Sequence, residues 1–589
     1  MKTTVVNRWA SRIKMALAGA AAAWGVGLVT PTDAKACGGF FCSSVPIDQS
    51  GERVLFAVGE ETVKAHIQIF YQGEADKFSW VLPLPAAPSS IGVGSDAVFT
   101  ALEQQTTPQF YLDWNYKNDC NYNWGWGFEA DAGAGGGPSP APPGENGGVD
   151  VLQAGAVGPY DFVVVKAAEG GDGAEAMYQW LETNGYDQPD NAKVLIAEYV
   201  EENHVFVAVK LQQDKKVGDI QPLTLEYPFP GSCVPLRLTS IAATEDMNVW
   251  VYVLGKERAV PVNFFHVTIN EAKIDWLGYG GNYRDVAMQA VDTAAGRGFL
   301  TEYSGDTLPF KDTLYRPGKF DLEGLAGITD PMEYLNQALN MGLPRSATMQ
   351  EIIKTYIPKP ENLPEDCNDD QEFYTWNMQA CLAHMPADWD FDPVAMTADV
   401  DAKIVTPLKE ADALFDEHRT LTRLFTVISP SEMVRDPIFL FNPDLPNVSN
   451  IHRAVAEPVC EGGSTTATKV QVTLEDGSLV QYDVPKDFGP PILTGDAVTA
   501  TPGTVEQMFT EGLPEAVPAN TIATVEQSFD SITVGLLTAP NQEPTPPRVK
   551  TNSTSNAGGC TSTGPASPGG FGATLGLGLL AAALLRRRA

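Results

Sequence analysis

VKAHIQIFYQGEADKFSWVLPLP, residues 63–85, is the stretch of sequence that decides the fold. In its first part the apolar side chains occupy every second position, at Val63, Ala65, Ile67, Ile69 and Tyr71. This period of two is typical of a strand with one buried face. FSWVLPLP, residues 78–85, predicts a second strand that its prolines terminate. His66 alternates with the inward residues, so we expect its side chain to face solvent.

Outward from this stretch, further strand patterns lie on both sides of a helical middle. Apolar runs predict strands at 161–168, 204–211, 247–254 and 260–269. A period of 3.6 predicts helices over 172–181, 191–200 and 283–295. From about 330 to 420 helix patterns dominate, and Thr348 with Glu351 fits the two ends of a capping box.

The clearest local pattern is Lys469–Val484, where the alternating runs VQVTL and LVQYDV flank Asp476-Gly477. This dipeptide favours the tight turn of a hairpin. The predicted fold class is therefore α+β, β-rich at both ends with sandwich-like sheets and with a helical middle portion. The predicted organisation is a signal peptide at 1–36, a β-rich N-terminal domain at 37–128, a Gly/Pro-rich loop or linker at 129–150, a mixed α/β domain at 151–305, a mainly helical region at 306–428, a β-rich C-terminal region at 429–540, a disordered spacer at 541–570 and a short apolar tail with an Arg cluster at 571–589.

The charge balance disfavours some classes of binding partner. The formal net charge of -35 repels phosphate backbones and anionic lipids, so we expect no nucleic-acid partner and membrane contact only through the terminal segments. The charge favours solubility outside the cell, with a role in binding divalent cations as the alternative.

The N-terminus predicts export. A basic start and an apolar run at 15–29 precede the small-x-small site Ala34-Lys35-Ala36. Cleavage after Ala36 makes Cys37 the first mature residue. A lipoprotein signal normally has Leu where this chain has Ala34, so plain secretory cleavage is favoured over lipidation of Cys37.

Export implies an oxidising compartment, in which cysteines form disulfides. Closeness in sequence pairs Cys37 with Cys42 and Cys367 with Cys381. If Cys560 belongs to the tail, seven cysteines remain of the eight, so either Cys37 is modified or one thiol is free. A mature N-terminal Cys37 also resembles the nucleophile of N-terminal hydrolases, but a bridge to Cys42 would quench it.

The C-terminus predicts a processed sorting signal. A polar spacer leads to the apolar run Phe571–Leu585, which is shorter than the roughly 20 residues that span a bilayer. Arg586, Arg587 and Arg588 close the chain. A short permanent anchor is the alternative.

Several segments together resemble one family. CGGFFC at 37–42 resembles the opening of an uncharacterised bacterial family, domain of unknown function 2330. Further segments that resemble it are His66–Pro88, VPLRLTS at 234–240, Asn282–Gly305 and LTRLFTVISPSEMVRDPIFLFN at 421–442. The resemblance implies no activity.

The tail, with Cys560, resembles the myxobacterial C-terminal sorting signal, which implies cutting by a dedicated protease and attachment near that Cys.

No familiar catalytic or cofactor motif is present in the sequence. The six histidines have no metal-ligand spacing, and we expect no cofactor. Asp388, Asp390, Asp392 and Asp399 fit a calcium loop, but Pro393 occupies the place of its turn glycine.

The segment 111–128 is the best candidate for ligand binding. Its aromatic side chains are interleaved with asparagines and suit a sugar ring or a protein partner, namely Trp114, Tyr116, Tyr122, Trp124 and Trp126. Packing over a sheet is the alternative.

The sequence thus favours an exported, surface-anchored binding or structural envelope protein at the cell surface or outer membrane, served by export and tail-processing machinery. A cell-envelope hydrolase with an unrecognised site is the alternative.

Overall fold

A computed structural model describes residues 48–72, 78–116, 120, 149–168, 173–186, 189, 191–212, 220–229, 231–360, 363–462, 465–484, 492–493 and 503–538. The chain divides into the units Met1–Pro547 and Arg548–Ala589, and every described residue belongs to the first. Among the described residues, no helix is long and apolar enough to cross a membrane.

The strands in chain order are β1 Asp48–Val58, β2 Thr62–Gln72, β3 Ser79–Leu84, β4 Ser90–Val93, β5 Gln109–Trp114, β6 Val149–Val157, β7 Tyr160–Ala167, β8 Val205–Leu211, β9 Leu223–Pro228, β10 Ser232–Cys233, β11 Ala243–Gly255, β12 Arg258–Pro261, β13 Phe265–Val267, β14 Gly298–Asp306, β15 Thr420–Ile428, β16 Ile438–Asn442, β17 Ile451–Val459, β18 Lys469–Leu474, β19 Leu479–Asp483, β20 Ile492–Leu493, β21 Val505–Gln507 and β22 Glu515–Ala516. The α-helices are α1 Asp96–Thr106, α2 Gly173–Thr183, α3 Ala192–Glu201, α4 Leu236–Thr239, α5 Tyr283–Asp292, α6 Leu322–Ala326, α7 Pro331–Asn340, α8 Ala347–Tyr356, α9 Met378–Cys381, α10 Pro393–Val400, α11 Thr406–Glu417 and α12 Ile522–Thr538.

These elements form four sheets. The largest has the order β22-β21-β13-β14-β15-β11-β1-β2-β9-β4, and the others are β10-β16-β12, β20-β19-β18-β17-β5 and β3-β8-β7-β6. Most neighbours are antiparallel, but β1 pairs with β11, β13 with β14 and β5 with β17 in parallel. The predicted α+β class is confirmed, with the helices concentrated in the middle at 322–417.

Both faces of the ten-stranded sheet are covered. On one face Val54 and Val251 share a core with Trp80 and Val207 of the four-stranded sheet, so these two sheets pack face to face. On the other face Leu55 and its neighbours share a second core with α1 and the middle helices. In β2 this cover buries the polar His66 as well as the apolar Val63, Ala65 and Ile67, whereas Thr62 and Lys64 at the start of the strand stay exposed.

This double cover overturns the prediction for His66. Its side chain is buried rather than exposed, and burial lowers the pKa of the imidazole to about 4. Alternation identified the two faces of the strand correctly, but it does not reveal that a second layer covers the polar one.

Two other local predictions are wrong for identifiable reasons. Ser346, not Thr348, caps α8 by accepting a hydrogen bond from Met349 N–H at 3.1 Å, while the Thr348 hydroxyl donates to Asp96. The single strand predicted at 260–269 is two strands of different sheets. Asn263 lies at the break and is held by hydrogen bonds to the backbone of Asp436 and Ile438.

The hairpin predicted around Asp476-Gly477 is present as β18 and β19. Gly477 takes a φ of 83°, the left-handed conformation that glycine adopts without steric cost. The inner face of this five-stranded sheet packs against Trp276 and Leu277, so a ligand can reach the outer face and the strand ends.

Candidate functional site

Strands β5 and β17 run in parallel and place side chains on the outer face of the five-stranded sheet. Tyr111 pairs with Arg453, and Asp113 pairs with Val455. Their neighbour Phe110 points inward and packs edge-to-face on Trp276, so Tyr111 and Asp113 point outward by the strand period. Tyr111 is 44% exposed.

A ring pair follows at the end of β5. Trp114 and Tyr116 stack with centroids 5.8 Å apart and planes 15° apart. Tyr116 is nevertheless 56% exposed, so one face of its ring covers Trp114 and the other is open to solvent. An open aromatic face held by a second ring is a rigid, amphipathic surface for a flat ligand.

Charged and amide groups lie beside these rings. The Arg453 guanidinium lies 5.4 Å from the centroid of the Tyr111 ring, and its Nη1 lies 3.9 Å from Asp113 Oδ2. Asn115 Nδ2 donates to Glu457 Oε1 at 2.8 Å. A shallow depression of about 300 Å³ on the outer face of the sheet is lined by charged and polar residues, Asp113, Arg453, Glu457, Thr473 and Glu475, and by the apolar Ala454, Val455 and Leu474. We call the group formed by Tyr111, Asp113, Trp114, Tyr116, Arg453 and Glu457 the aromatic face. Within it Trp114 lies on the inner side of β5, where it packs against the core around Trp276, and Tyr116 exposes the ring pair at the end of this edge strand.

A disulfide fixes the end of the aromatic face. Cys120 and Cys460 follow β5 and β17 and are bonded across a sequence separation of 340 residues. The cross-link therefore holds the two parallel strands together where Trp114 and Tyr116 emerge.

The expectation of disulfide bonds is confirmed in the described residues. Besides Cys120–Cys460, Cys367 and Cys381 are bonded in the helical middle. Cys233 carries a free thiol, and burial raises its pKa well above the ordinary value, so this thiol is unreactive. Cys37, Cys42 and Cys560 lie outside the described residues. Stable disulfides indicate an extracellular location, because the bacterial cytoplasm keeps thiols reduced.

The predicted site residues fall into two groups. Trp114 and Tyr116 belong to the aromatic face, whereas Tyr122, Trp124, Trp126, Ala36 and the terminal arginines 586–588 lie outside the described residues. Arg453 and Glu457 were missed, because they are more than 320 positions away from the aromatic segment. The alternation of polar and apolar side chains in β17 was the available signal.

The calcium loop is not assembled. Asp392 accepts a hydrogen bond from Ala395 N–H and caps α10, and Asp399 pairs with Lys403 at 2.8 Å. Across the part of the chain that the structure describes, no group of three or more His, Cys, Asp or Glu side chains is arranged to hold a metal ion.

A second concavity of about 240 Å³ lies between the β6–β7 turn, helix α8 and the residues Ala402 and Lys403 that connect α10 to α11. Its charged lining residues are already paired, Glu351 with Lys354 at 2.9 Å and Lys403 with Asp399. Neither histidine nor cysteine is among its described lining residues. It therefore lacks the convergent nucleophile and base that a hydrolase requires.

Two of the family-like segments meet in a buried polar cluster. Arg237 donates from Nε and Nη2 to Asp436 Oδ2 at 3.1 and 3.0 Å, and its backbone N–H donates to Oδ1 at 2.9 Å. Glu202 accepts two further hydrogen bonds from the same guanidinium. One guanidinium thus holds several carboxylates, and this cluster ties α3 and α4 to β16 and serves the fold.

Comparison with known proteins identifies the family. The model of a family described as an uncharacterized protein conserved in bacteria, DUF2330, matches residues 31–307. No curated protein and no solved structure matches the chain. The match includes β1 to β14, among them strand β5 of the aromatic face, but not β17. Over residues 31–307, the chain belongs to the DUF2330 family.

Proposed function

We propose that this protein is an exported, surface-held binding protein that takes a carbohydrate on its aromatic face. The observation that carries the proposal is the stacked pair of Trp114 and Tyr116, whose open ring face stands on a strand end that the Cys120–Cys460 disulfide holds. The apolar face of a sugar ring packs on such a surface, and its hydroxyls need hydrogen-bonding groups at the rim.

The rim supplies those groups. Asp113 and Glu457 are acceptors, and Arg453 and Asn115 are donors, all within the same two strands. A protein partner is the less favoured ligand, because stable protein interfaces have a dry apolar core within about 800 Å² per partner. The aromatic face instead mixes rings with charges, and its charged residues Asp113, Arg453 and Glu457 line a shallow depression.

Export and surface attachment complete the proposal. The two disulfides support an oxidising location, the predicted signal peptide supplies the route, and the acidic surface favours solubility there. The tail beyond residue 570 is proposed to hold the protein at the cell surface after processing.

Affinity electrophoresis of the full mature chain tests the ligand class. Native gels would contain neutral soluble polysaccharides, for example glucans and galactomannans. We expect at least one to retard the wild-type protein. Tyr116→Ala should weaken that binding about tenfold, since a stacked ring contributes about 1 to 1.5 kcal/mol.

Trp376→Ala is the matched control, because Trp376 is 66% exposed but lies in the helical middle. It should bind like wild type. Equal loss in both variants, or no retardation by any polysaccharide together with Tyr116-dependent capture of a protein, would overturn the carbohydrate proposal.

A further inference from the structure

A chain of four polar side chains links the three-stranded sheet to the ten-stranded sheet. Arg258 of β12 donates from Nη2 to Thr301 Oγ1 of β14 at 3.2 Å. Thr301 Oγ1 lies 3.1 Å from Nε2 of His266 on β13, and His266 Nδ1 lies 3.0 Å from Glu506 Oε2 on β21. Thr504 Oγ1 donates to the other oxygen of Glu506 at 3.0 Å and so holds the carboxylate.

The hydrogens of this chain can point in one direction only. A guanidinium donates and never accepts, so Thr301 Oγ1 accepts from Arg258. When a neutral imidazole carries its proton on Nδ1, its Nε2 can only accept, so the Thr301 hydroxyl donates to His266 Nε2. A carboxylate accepts and never donates, so the imidazole proton lies on Nδ1, facing Glu506.

The protonation states agree with this direction. Burial lowers the pKa of His266, and the hydrogen bond from His266 lowers the pKa of Glu506. At neutral pH the pair is therefore a neutral imidazole beside a carboxylate, which leaves Nε2 free to take a proton from the hydroxyl.

Arg258 differs from the other buried arginines of the described chain. Arg237, Arg423 and Arg435 each form an ion pair with a carboxylate. Arg258 is 8% exposed, yet within the described residues no carboxylate lies within ion-pair distance and its Nε has no hydrogen-bond partner. Its Nη1 donates to Pro446 O at 3.2 Å, and the charge of Glu506 acts on the guanidinium from beyond ion-pair distance. A buried guanidinium that keeps one N–H without a partner can stabilise negative charge on a reacting group.

We propose that Thr301 is a nucleophile for acyl transfer from carboxylic esters, with His266 as its general base, Glu506 as the residue that orients the imidazole and Arg258 as the stabiliser of negative charge at the reacting oxygen. Thr301 and Glu506 are only half-buried, so the chain is not sealed inside the core. The activity is independent of the aromatic face.

The reaction balances as a double displacement. The Thr301 hydroxyl proton passes to His266 Nε2 as Oγ1 bonds to the ester carbonyl carbon. Collapse of the tetrahedral intermediate breaks the carbon–oxygen bond to the alcohol, which leaves with the proton from Nε2. Water repeats the sequence on the acyl-threonine, releasing the carboxylic acid and restoring Thr301.

Two measurements on the full mature chain test this proposal. One is hydrolysis of 4-nitrophenyl acetate, and the other is peptide mapping after reaction with a fluorophosphonate probe. We expect turnover above the uncatalysed rate and a probe adduct on Thr301. Thr301→Val and His266→Asn should lower the rate at least about 100-fold, whereas Thr301→Ser should keep it within about tenfold.

His452→Asn is the matched control. His452 Nδ1 also contacts a glutamate, Glu271 Oε1 at 2.7 Å, but no hydroxyl partner of its Nε2 exists among the described residues. This variant should hydrolyse the ester like wild type. If Thr301→Val does not fold, the adduct position in the wild-type chain decides. An adduct elsewhere, or wild-type turnover in a folded Thr301→Val protein, overturns the assignment.

Discussion

Replacing Glu52 by Gln should change the pH dependence of stability. Glu52 lies on β1, near the centre of the ten-stranded sheet, and only 2% of it is exposed. Gln49 Nε2 donates to its Oε2 at a long 3.3 Å, and no cation among the described residues pairs with the carboxylate. Burial raises the pKa of Glu52 to about 7, and the nearby charge of Asp436 adds to this rise.

The magnitude follows from linkage. Folding raises the pKa of Glu52 from its ordinary value of 4.5 to about 7. At 1.36 kcal/mol per pH unit, this rise corresponds to about 3 kcal/mol in the free energy of unfolding. Because the folded pKa lies above the unfolded one, folding favours the protonated form. Below about pH 4.5, Glu52 is protonated in both states and its ionisation does not lower the free energy of unfolding. As the pH rises, ionisation lowers this free energy progressively, and the loss is complete above about pH 7.

Glutamine cannot ionise and avoids this penalty. Glu52→Gln should match wild type within about 1 kcal/mol near pH 4.5 and exceed its free energy of unfolding by about 3 kcal/mol at pH 8. Urea unfolding at half-unit pH intervals measures both curves. Glu60→Gln is the control, since Glu60 is exposed in the turn of the same hairpin. A difference between Glu52→Gln and wild type that stays constant from pH 4.5 to 8 would refute the reasoning.

Three other perturbations have expected outcomes. Glu302→Gln should lower the free energy of urea unfolding by about 3 to 5 kcal/mol, because it leaves the buried Arg423 guanidinium, 2.5 Å from Glu302 Oε2, without its counter-charge. Asp416→Asn, which breaks an exposed ion pair, should lower it by under about 1 kcal/mol. Equal losses in the two variants would contradict this expectation. Cys460→Ser should lower the free energy of unfolding by about 2 to 5 kcal/mol, since it opens a cross-link over 340 residues, and a reducing agent should then have little further effect on the stability of the aromatic face. Deleting 571–589 should release the protein into the medium in cell fractionation, and surface-purified wild-type protein that still ends at residue 589 would show that the tail is not removed.

Local features of the fold could be predicted from the sequence. The hairpin at Asp476-Gly477 depends on neighbours in the chain, and the left-handed Gly477 together with alternating strands specifies it without distant contacts. In other places tertiary packing overrides the local preference of a short sequence. TVEQ occurs at residues 504–507, in part as strand β21, and at 524–527 within helix α12, so tertiary packing decides its conformation.

The sites required contacts that no local pattern contains. The parallel pairing of β5 with β17 brings Arg453 beside Tyr111, which is 342 positions earlier in the sequence. In the same way, His266, Thr301 and Glu506 become neighbours only when β13, β14 and β21 pair. Aromatic composition pointed to the first site, but isolated His, Thr and Glu residues gave no signal for the second.

Oxidative footprinting by mass spectrometry tests the carbohydrate-binding claim most directly. Side chains of the full mature chain would be oxidised by hydroxyl radicals with and without the polysaccharide that retards it in native gels. We predict that bound polysaccharide lowers the oxidation of Tyr111 and Tyr116 several-fold and leaves exposed Trp376 unchanged. Unchanged oxidation of both tyrosines at a saturating polysaccharide concentration would contradict the claim that the aromatic face is the binding site.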